Sequence, residues 1–204
     1  MLWNRLVVVL AAAALGACEG GISVGAGIGG GSGSFGGGVG VSSNVSGRTT
    51  RSDLTVAMFK IDARGVGGEI GTLMLTDTDE GLRIEAALSG LPPGDHGFHL
   101  HEKASCDPGD KDGKPAAGIG AGNHFDPNAT GKHLGPEGAG HRGDLPILHV
   151  DENGAATGVM FAPHLKLADV RGKSFMIHAG GDNYSDKPEP LGGGGGRIAC
   201  GVVS

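Results

Sequence analysis

The 204-residue chain has few aromatic side chains, which make up 4% of its residues. A hydrophobic core must therefore consist mainly of Val, Ile, Leu and Ala. Basic residues are also in the minority: 16 Lys and Arg stand against 22 Asp and Glu, and the net charge of −6 argues against a nucleic acid as partner. The sequence has no convincing amphipathic helix, and its length suggests one domain with additional segments.

The apolar stretch nearest the N-terminus is too short to cross a bilayer. LVVVLAAAAL, which follows Arg5, has ten residues, whereas a membrane-spanning helix needs about 20. This pattern is typical of a signal peptide, which we expect over residues 1–17. The stretch ends in LGAC, which resembles a bacterial lipobox and predicts a lipid on Cys18. The alternative is ordinary cleavage at a small-residue site, with no role for Cys18.

A lipidated cysteine predicts a location in the bacterial periplasm, with membrane contact only through the lipid on Cys18. The next residue is Glu19 rather than the Asp associated with inner-membrane retention. An anchor in the outer membrane is therefore favoured over one in the inner membrane.

Cysteine is scarce, with three residues in the chain: Cys18, Cys106 and Cys200. Export places the protein in an oxidising compartment. If Cys18 carries lipid, the other two cysteines remain as an even pair, and a disulfide between them is the simplest interpretation. This disulfide would close a very long loop, and the chain-entropy model assigns about 4–5 kcal/mol of stability to such a cross-link.

Glycine is abundant, with 43 residues, but unevenly distributed. Residues 19–53 hold 13 glycines and many serines, and such a stretch cannot bury enough surface to offset its ordering entropy. We therefore predict a flexible tether over residues 18–53, between the lipid and a folded domain at residues 54–204. The alternative is a Gly-rich adhesive segment.

Short segments rich in β-formers, separated by turn signals, begin at residue 54. Such a pattern predicts an all-β sandwich or barrel, with strands expected at 54–62, 67–77, 81–91, 95–102, 144–154, 155–163, 172–180 and 197–204. The sequence DENG at 151–154 predicts a hairpin turn. Residues 103–144 show no strand pattern, and loops this long are uncommon unless they are functional or disordered. Residues 181–196 likewise show no strand pattern, so something other than a core must hold them.

Histidines are concentrated where the strand pattern meets the first long loop. His99 and His101 lie one residue apart in a predicted strand, so their side chains share one face. This pair alone is a weak signal, because histidine pairs on exposed strands are common. A later strand adds His178.

The long loop contains three further histidines and a carboxylate, His124, His133, His141 and Asp144. Three imidazoles and one carboxylate form a tetrahedral ligand set suited to zinc. A solvent-exposed loop is the alternative, but it would not explain how such a loop stays ordered, whereas metal binding would. A site made only of histidines suits copper as well as zinc, so two metals of different character are suggested, an all-imidazole copper site and an imidazole-carboxylate zinc site.

Five segments in this order resemble the copper-zinc superoxide dismutases, most closely the bacterial periplasmic kind: GFHLHE, NHFDP, GKHLGPEGAGHRGDLP, MIHAGGDNYSD and GGGGGRIACGV. The resemblance covers essentially all of residues 54–204. It implies an eight-stranded antiparallel Greek-key β-barrel or sandwich with two long functional loops.

The resemblance also implies one copper and one zinc per chain. The implied copper ligands are His99, His101, His124 and His178. The implied zinc ligands are His124, His133, His141 and Asp144. His124 would therefore be shared between the metals, with one ring nitrogen on each.

Other residues receive supporting roles from the resemblance. Asp182 would hydrogen-bond one copper histidine and one zinc histidine and fix their tautomers. Arg197 would attract and hold the anionic substrate beside copper. A disulfide between Cys106 and Cys200 would pin the long loop to the barrel, and His96 would hydrogen-bond backbone near the copper strand.

The implied activity is dismutation of superoxide to O₂ and H₂O₂, which protects the cell envelope, with His124 donating a proton when copper is reduced. The alternative is a copper- or zinc-binding storage or delivery module on the same barrel. A copper-only dismutase lacks the zinc ligands that this chain has. His149 and His164 match no ligand position, and the sequence leaves open whether the protein is a monomer or a homodimer.

Overall fold

A computed structural model describes residues 53–204 of the chain. The predicted signal peptide, Cys18 and nearly all of the predicted tether lie outside these residues. The described part is built from strands: β1 (Asp53–Asp62), β2 (Gly65–Thr78), β3 (Gly81–Leu88), β4 (Gly94–His96), β5 (Phe98–His101), β6 (Gly109–Lys111), β7 (Lys114–Ala116), β8 (Leu148–Val150), β9 (Ala156–Ala162), β10 (Ser174–His178) and β11 (Arg197–Val202).

Seven strands form one antiparallel sheet in the order β5-β10-β11-β1-β2-β3-β9. At one edge, β4 continues into β5 after Gly97 and pairs with β8. The chain then passes from β8 to β9, at the other edge, through the turn of residues 151–154, where the Asp151 amide donates to the Ala155 carbonyl. Counting β4 and β5 as one, the described residues contain eight barrel strands with the non-sequential neighbours of a Greek key, as predicted.

The core consists of aliphatic side chains, as the shortage of aromatics predicts. In β3, alternate residues from Leu82 to Leu88 are buried, because successive strand residues face opposite sides of the sheet. Two aromatic rings, those of Phe98 and Phe175, stack in this core with centroids 5.6 Å apart. Each fully buried large side chain contributes about 1.5–3 kcal/mol, and the largest include Leu73, Leu75, Leu82, Ile84, Leu100 and Ile177.

The segments between the barrel strands contain short elements that the strand pattern did not predict. Residues 103–144 do contain a small hairpin, β6-β7, whose turn is made by Asp112 and Gly113 at positive φ. A four-residue helix, α1 (Leu167–Val170), precedes β10. A single 3₁₀ turn lies at Ile119–Ala121, and Pro190–Gly193 forms a tight turn in which Leu191 and Gly192 have positive φ. No helix among residues 53–204 is long and apolar enough to cross a membrane.

Candidate metal centre

Strand β5 carries two histidines toward the long loop. His99 and His101 are fully buried although β5 is at the edge of the sheet. Their burial follows from the loop, which lies along the free edge of β5: the Leu100 amide donates to the Gly143 carbonyl, and the Phe125 amide donates to the Leu100 carbonyl. Main-chain hydrogen bonds therefore place the loop against the strand.

These contacts bring residues from distant positions beside β5. His124 lies opposite His101, and Asp144 lies opposite His99. On the other side of β5, strand β10 ends in His178. A register shift between Ile177 and His178 on the β11 side is the kind of irregularity that redirects a side chain.

The first cluster joins His99, His101, His124 and His178, whose ligand atoms all lie within 4.8 Å of one another. All four rings are oriented by a hydrogen bond at the nitrogen that faces away from the cluster. His99 Nε2 lies 2.8 Å from Asp182 Oδ2, and His101 Nδ1 lies 2.9 Å from the Gly122 carbonyl oxygen. A protonated nitrogen on the outside leaves the lone pair of the other nitrogen directed inward.

The second cluster surrounds one carboxylate oxygen, Asp144 Oδ1. The Nδ1 atoms of His124, His133 and His141 lie 3.0, 2.9 and 3.3 Å from it. The His133 contact is close in distance but lacks hydrogen-bond alignment. The other oxygen, Asp144 Oδ2, accepts the Leu134 amide at 3.1 Å. Four convergent donor atoms of this kind match a tetrahedral zinc site.

His124 belongs to both clusters. Its Nδ1 faces Asp144, and its Nε2 faces the other three histidines. The Asp182 carboxylate links the two clusters from outside, because Oδ2 contacts His99 Nε2 and Oδ1 contacts His133 Nε2, both at 2.8 Å. Asp182 therefore fixes one ring of each cluster.

Burial keeps the rings of the first cluster neutral. Burial first, and then repulsion by His99, lowers the pKa of His124 to about 3. Burial likewise lowers the pKa of His178 to about 2, and that of His101 falls well below its ordinary value. Since a neutral imidazole offers a lone pair, these rings are prepared to bind a metal ion at neutral pH.

The pKa values around the second cluster move in the opposite direction. Burial opposes the charged form of His133, but the close Asp144 carboxylate and the hydrogen bond with Asp182 outweigh this and raise the pKa of His133 to about 9. Burial also disfavours the charged forms of Asp144 and Asp182. Their contacts with the histidines outweigh this effect, so the pKa values of both carboxyl groups lie well below the ordinary value. The carboxylate within the second cluster, Asp144, and the carboxylate that links the two clusters, Asp182, are therefore both ionised at neutral pH.

A cavity of about 760 Å³ leads from solvent to the first cluster, and its lining includes His124, His178 and Arg197. The Arg197 guanidinium donates to the Gly118 carbonyl at 2.5 Å and to the Gly122 carbonyl at 2.8 Å. Two of its five N–H groups are thus fixed to backbone, and three remain to bind an anion.

The hydrogen bonding of the buried ring nitrogens shows whether metal ions fit the two clusters. Five of them have no hydrogen-bond partner within residues 53–204: His99 Nδ1, His101 Nε2, His124 Nε2, His133 Nδ1 and His178 Nε2. A buried polar atom left without a partner costs about 1–3 kcal/mol. Metal ions in both clusters would give all five a partner, so the residues present fit an all-imidazole copper site and an imidazole-carboxylate zinc site.

The structure brings together every residue that the sequence predicted for the two metals, and it places Asp182 and Arg197 beside them. Cys106 and Cys200 form a disulfide. The ring of His96 contacts the His178 and Pro92 carbonyl oxygens. His149, which matched no ligand position, is exposed beside Asp95.

Two contacts of the loops were not predicted from the sequence. Arg142, next to His141, donates to the His164 carbonyl and to Asp169. Asp186 accepts backbone amides from both long loops. Neither residue belongs to a recognisable ligand pattern, and an arginine or aspartate at the surface gives no sequence signal of its partner.

Fold and clusters together define a class: Greek-key β-barrels with a buried pair of metal sites that share one imidazole. The family model described as "Copper/zinc superoxide dismutase (SODC)" matches residues 69–203. Superoxide dismutase [Cu-Zn] of Escherichia coli strain K12 is 55% identical over 149 residues, which are 72% of this chain and 86% of the relative. The chain belongs to the copper/zinc superoxide dismutase family.

Solved structures agree with this assignment. The Cu/Zn superoxide dismutase from Brucella abortus superposes with a TM-score of 0.74 at 51% identity, covering 75% of this chain and all of that one. The monomeric copper, zinc superoxide dismutase from Salmonella enterica gives a TM-score of 0.68 at 52% identity, again over 75% of this chain and all of that one.

Proposed function

We propose that this protein dismutates superoxide with one copper, held by His99, His101, His124 and His178, and one zinc, held by His124, His133, His141 and Asp144. The observation that carries the proposal is the position of His124. Its two ring nitrogens face different ligand clusters, and the ring also lines the cavity that opens to solvent.

The reaction is 2 O₂•⁻ + 2 H⁺ → O₂ + H₂O₂, for which bound copper supplies the one-electron redox couple while zinc orders the loop and tunes the shared imidazole. The chain supplies positioning and a proton. His124 Nε2 faces the first cluster and the ring lines the cavity, so this atom would take up a proton when its lone pair is not bonded to copper and would donate it to the reduced oxygen species. Asp182 keeps the outer nitrogens of His99 and His133 hydrogen-bonded during this change.

Attraction of the anionic substrate must be local, since the chain carries a net charge of −6. Arg197 lies in the cavity between the metal clusters and solvent, and burial lowers its pKa without removing its charge. A fixed cation in a cleft focuses the field on an approaching anion, and enzymes of this family are themselves a standard example of such focusing.

Replacing Arg197 with alanine is expected to lower the second-order rate constant for superoxide about tenfold at low ionic strength, with copper and zinc still bound. The rate should also become less sensitive to added salt, because the local cation is gone. Pulse radiolysis over a range of salt concentrations measures both effects. Arg64→Ala is the matched control, because Arg64 is exposed and, within residues 53–204, forms an ion pair only with nearby Asp62. Unchanged kinetics in Arg197→Ala would contradict the role.

Metal content and dismutation measured on the same purified sample test the proposed function. We expect about one copper and one zinc per chain, together with fast dismutation. Bound metals without dismutation would overturn the enzymatic proposal in favour of a storage or delivery module.

We also propose that residues 1–17 are a lipoprotein signal peptide, that Cys18 carries lipid, and that residues 18–53 tether the domain of residues 54–204 in the periplasm. The LGAC sequence supports lipidation, and Glu19 in place of Asp supports the outer membrane. Together they would place superoxide removal at the cell envelope.

Replacing Cys18 with serine is expected to abolish incorporation of labelled palmitate and to release the protein into the soluble periplasmic fraction, while superoxide dismutation per copper stays the same. Labelling of cells and membrane fractionation measure these outcomes. Cys18→Ser protein that still partitions with the outer membrane would argue against the lipid anchor.

A further inference from the structure

The short segment DNYSD at residues 182–186 connects several parts of the centre. Alternate side chains of this segment each contact a different element. Asp182 contacts the rings of His99 and His133, and the Tyr184 hydroxyl accepts the amide of Ile147. Asp186, the third, accepts two backbone amides.

The two amides bound by Asp186 come from the two long loops. Asp186 Oδ2 accepts the amide of His133 at 3.0 Å, and Oδ1 accepts the amide of Leu191 at 3.2 Å. His133 belongs to the proposed zinc site, whereas Leu191 lines the cavity that leads to the proposed copper site. One carboxylate therefore joins a zinc-site residue to the rim of the substrate channel.

Leu191 adopts a backbone conformation that needs support. Its φ is +55°, in the left-handed region that a leucine adopts only at a cost in energy. The next residue, Gly192, packs so closely on Asp182 and His133 that a Cβ atom there would clash with both. The turn therefore packs directly against a residue of the proposed zinc site, and the hydrogen bond to Asp186 holds Leu191 in place.

The negative charge of Asp186 strengthens its hydrogen bonds to the two amides. The hydrogen bonds from the His133 and Leu191 amides lower the pKa of Asp186. The carboxylate is consequently ionised at neutral pH, and hydrogen bonds to an ionised acceptor are stronger than those to a neutral one.

We propose that Asp186 is a positioning residue that transmits zinc occupancy to the channel rim. With zinc bound, His133 is fixed, Asp186 is fixed by the His133 amide, and Leu191 is held in its left-handed turn beside the channel. When zinc leaves, the same connection lets the rim relax. The inference rests on the proposed function for the identity of the two metals, and it adds a route by which the zinc site controls anion access to copper.

The test measures azide binding to the copper(II) protein, expressed from the full chain and loaded with both metals or with copper alone. Azide is a small anion whose binding to copper(II) is followed by absorption. In the wild type, zinc removal should weaken azide binding, by loss of the Asp186 connection and by any direct effect through His124. Asp186→Asn keeps one acceptor oxygen but places an amide group against the second N–H, so the connection is broken in either metal state.

Asp151→Asn is the matched control. Asp151 is also an exposed carboxylate that accepts two backbone amides, those of Asn153 and Ala155, but it does so in the turn between β8 and β9. The two variants lose the same charge. Both amides at Asp151 bind Oδ1, whose place an asparagine carbonyl oxygen can take, whereas Asp186 uses both of its oxygens. Differences between the variants therefore report the broken connection at Asp186 rather than the loss of a charge.

For Asp186→Asn we expect the effect of zinc removal on the azide dissociation constant to be at least threefold smaller than in the wild type. Zinc release from the doubly loaded variant into a chelator should be about tenfold faster. Asp151→Asn should match the wild type within twofold in both measurements. Loss of a negative charge alone would strengthen azide binding, which is opposite in sign to the weaker binding expected for doubly loaded Asp186→Asn.

An equal effect of zinc removal in the wild type and in Asp186→Asn would overturn the proposal, as would equal changes in Asp186→Asn and Asp151→Asn. Both readouts are binding measurements and do not depend on turnover. A wild-type protein that binds both metals but fails to dismutate superoxide would refute the proposed enzymatic function while leaving the coupling through Asp186 measurable.

Discussion

Replacing His178 with alanine is expected to remove copper from the protein and to lower the superoxide dismutation rate by at least about 100-fold. Substitution of a residue that only supports a metal ligand already reduces affinity or activity by 10–100-fold, and His178 is proposed to be a ligand itself. Its Nε2 is one of the buried nitrogens without a partner within residues 53–204. Zinc should remain bound, because His178 is absent from the second cluster.

Elemental analysis and pulse radiolysis on the same sample measure this outcome, and His149→Ala is the matched control. His149 also lies on a strand, but it is exposed and its ring pairs with the exposed carboxylate of Asp95. We expect the control to keep both metals and full activity. A His178→Ala protein with one copper per chain and wild-type kinetics would show that the copper assignment is wrong.

Removing the disulfide is the second change with a large expected effect. In the double variant Cys106→Ala/Cys200→Ala, the free energy of unfolding should fall by about 4 kcal/mol. The disulfide links residues 94 positions apart, and the chain-entropy model assigns about 4.7 kcal/mol to a loop of about 100 residues. Because bound metals also stabilise the folded state, urea unfolding should be compared between metal-free proteins.

The double variant should also make the position of the Arg197 guanidinium less fixed, because Cys106 anchors the loop whose carbonyl groups hold it. The Lys103 amide donates to the Ala121 carbonyl, and the carbonyls of Gly118 and Gly122 hold the Arg197 guanidinium. Cys18→Ser is a control that removes a cysteine outside the pair and should unfold like the wild type. A stability loss below about 1 kcal/mol in the double variant would contradict the loop-closure account.

Much of the site follows from the sequence because its ligands are rare residue types in strict positions. The spacing of His99 and His101 predicts one shared strand face, and both rings do point into the same cluster. The composition of residues 124–144 predicts a metal-binding loop, and its three histidines converge on Asp144. Strand alternation and ligand chemistry are local properties, so a sequence pattern expresses them.

Other features could not be predicted because they depend on backbone groups, which every residue type supplies. The long loop is positioned by amide and carbonyl groups along the edge of β5, such as those of Leu100 and Gly143. Asp186 likewise binds main-chain amides of His133 and Leu191. The β6-β7 hairpin was missed for a related reason: its strands have three residues each, too few to show an alternating pattern.

The most direct test of the account is the location of both metals in crystals of the loaded protein, by anomalous diffraction at the copper and zinc absorption edges. The account predicts one copper bonded to His99 Nδ1 and to the Nε2 atoms of His101, His124 and His178. It predicts one zinc bonded to Asp144 and to the Nδ1 atoms of His124, His133 and His141. A single metal per chain, or two metals that do not share the His124 ring, would contradict it.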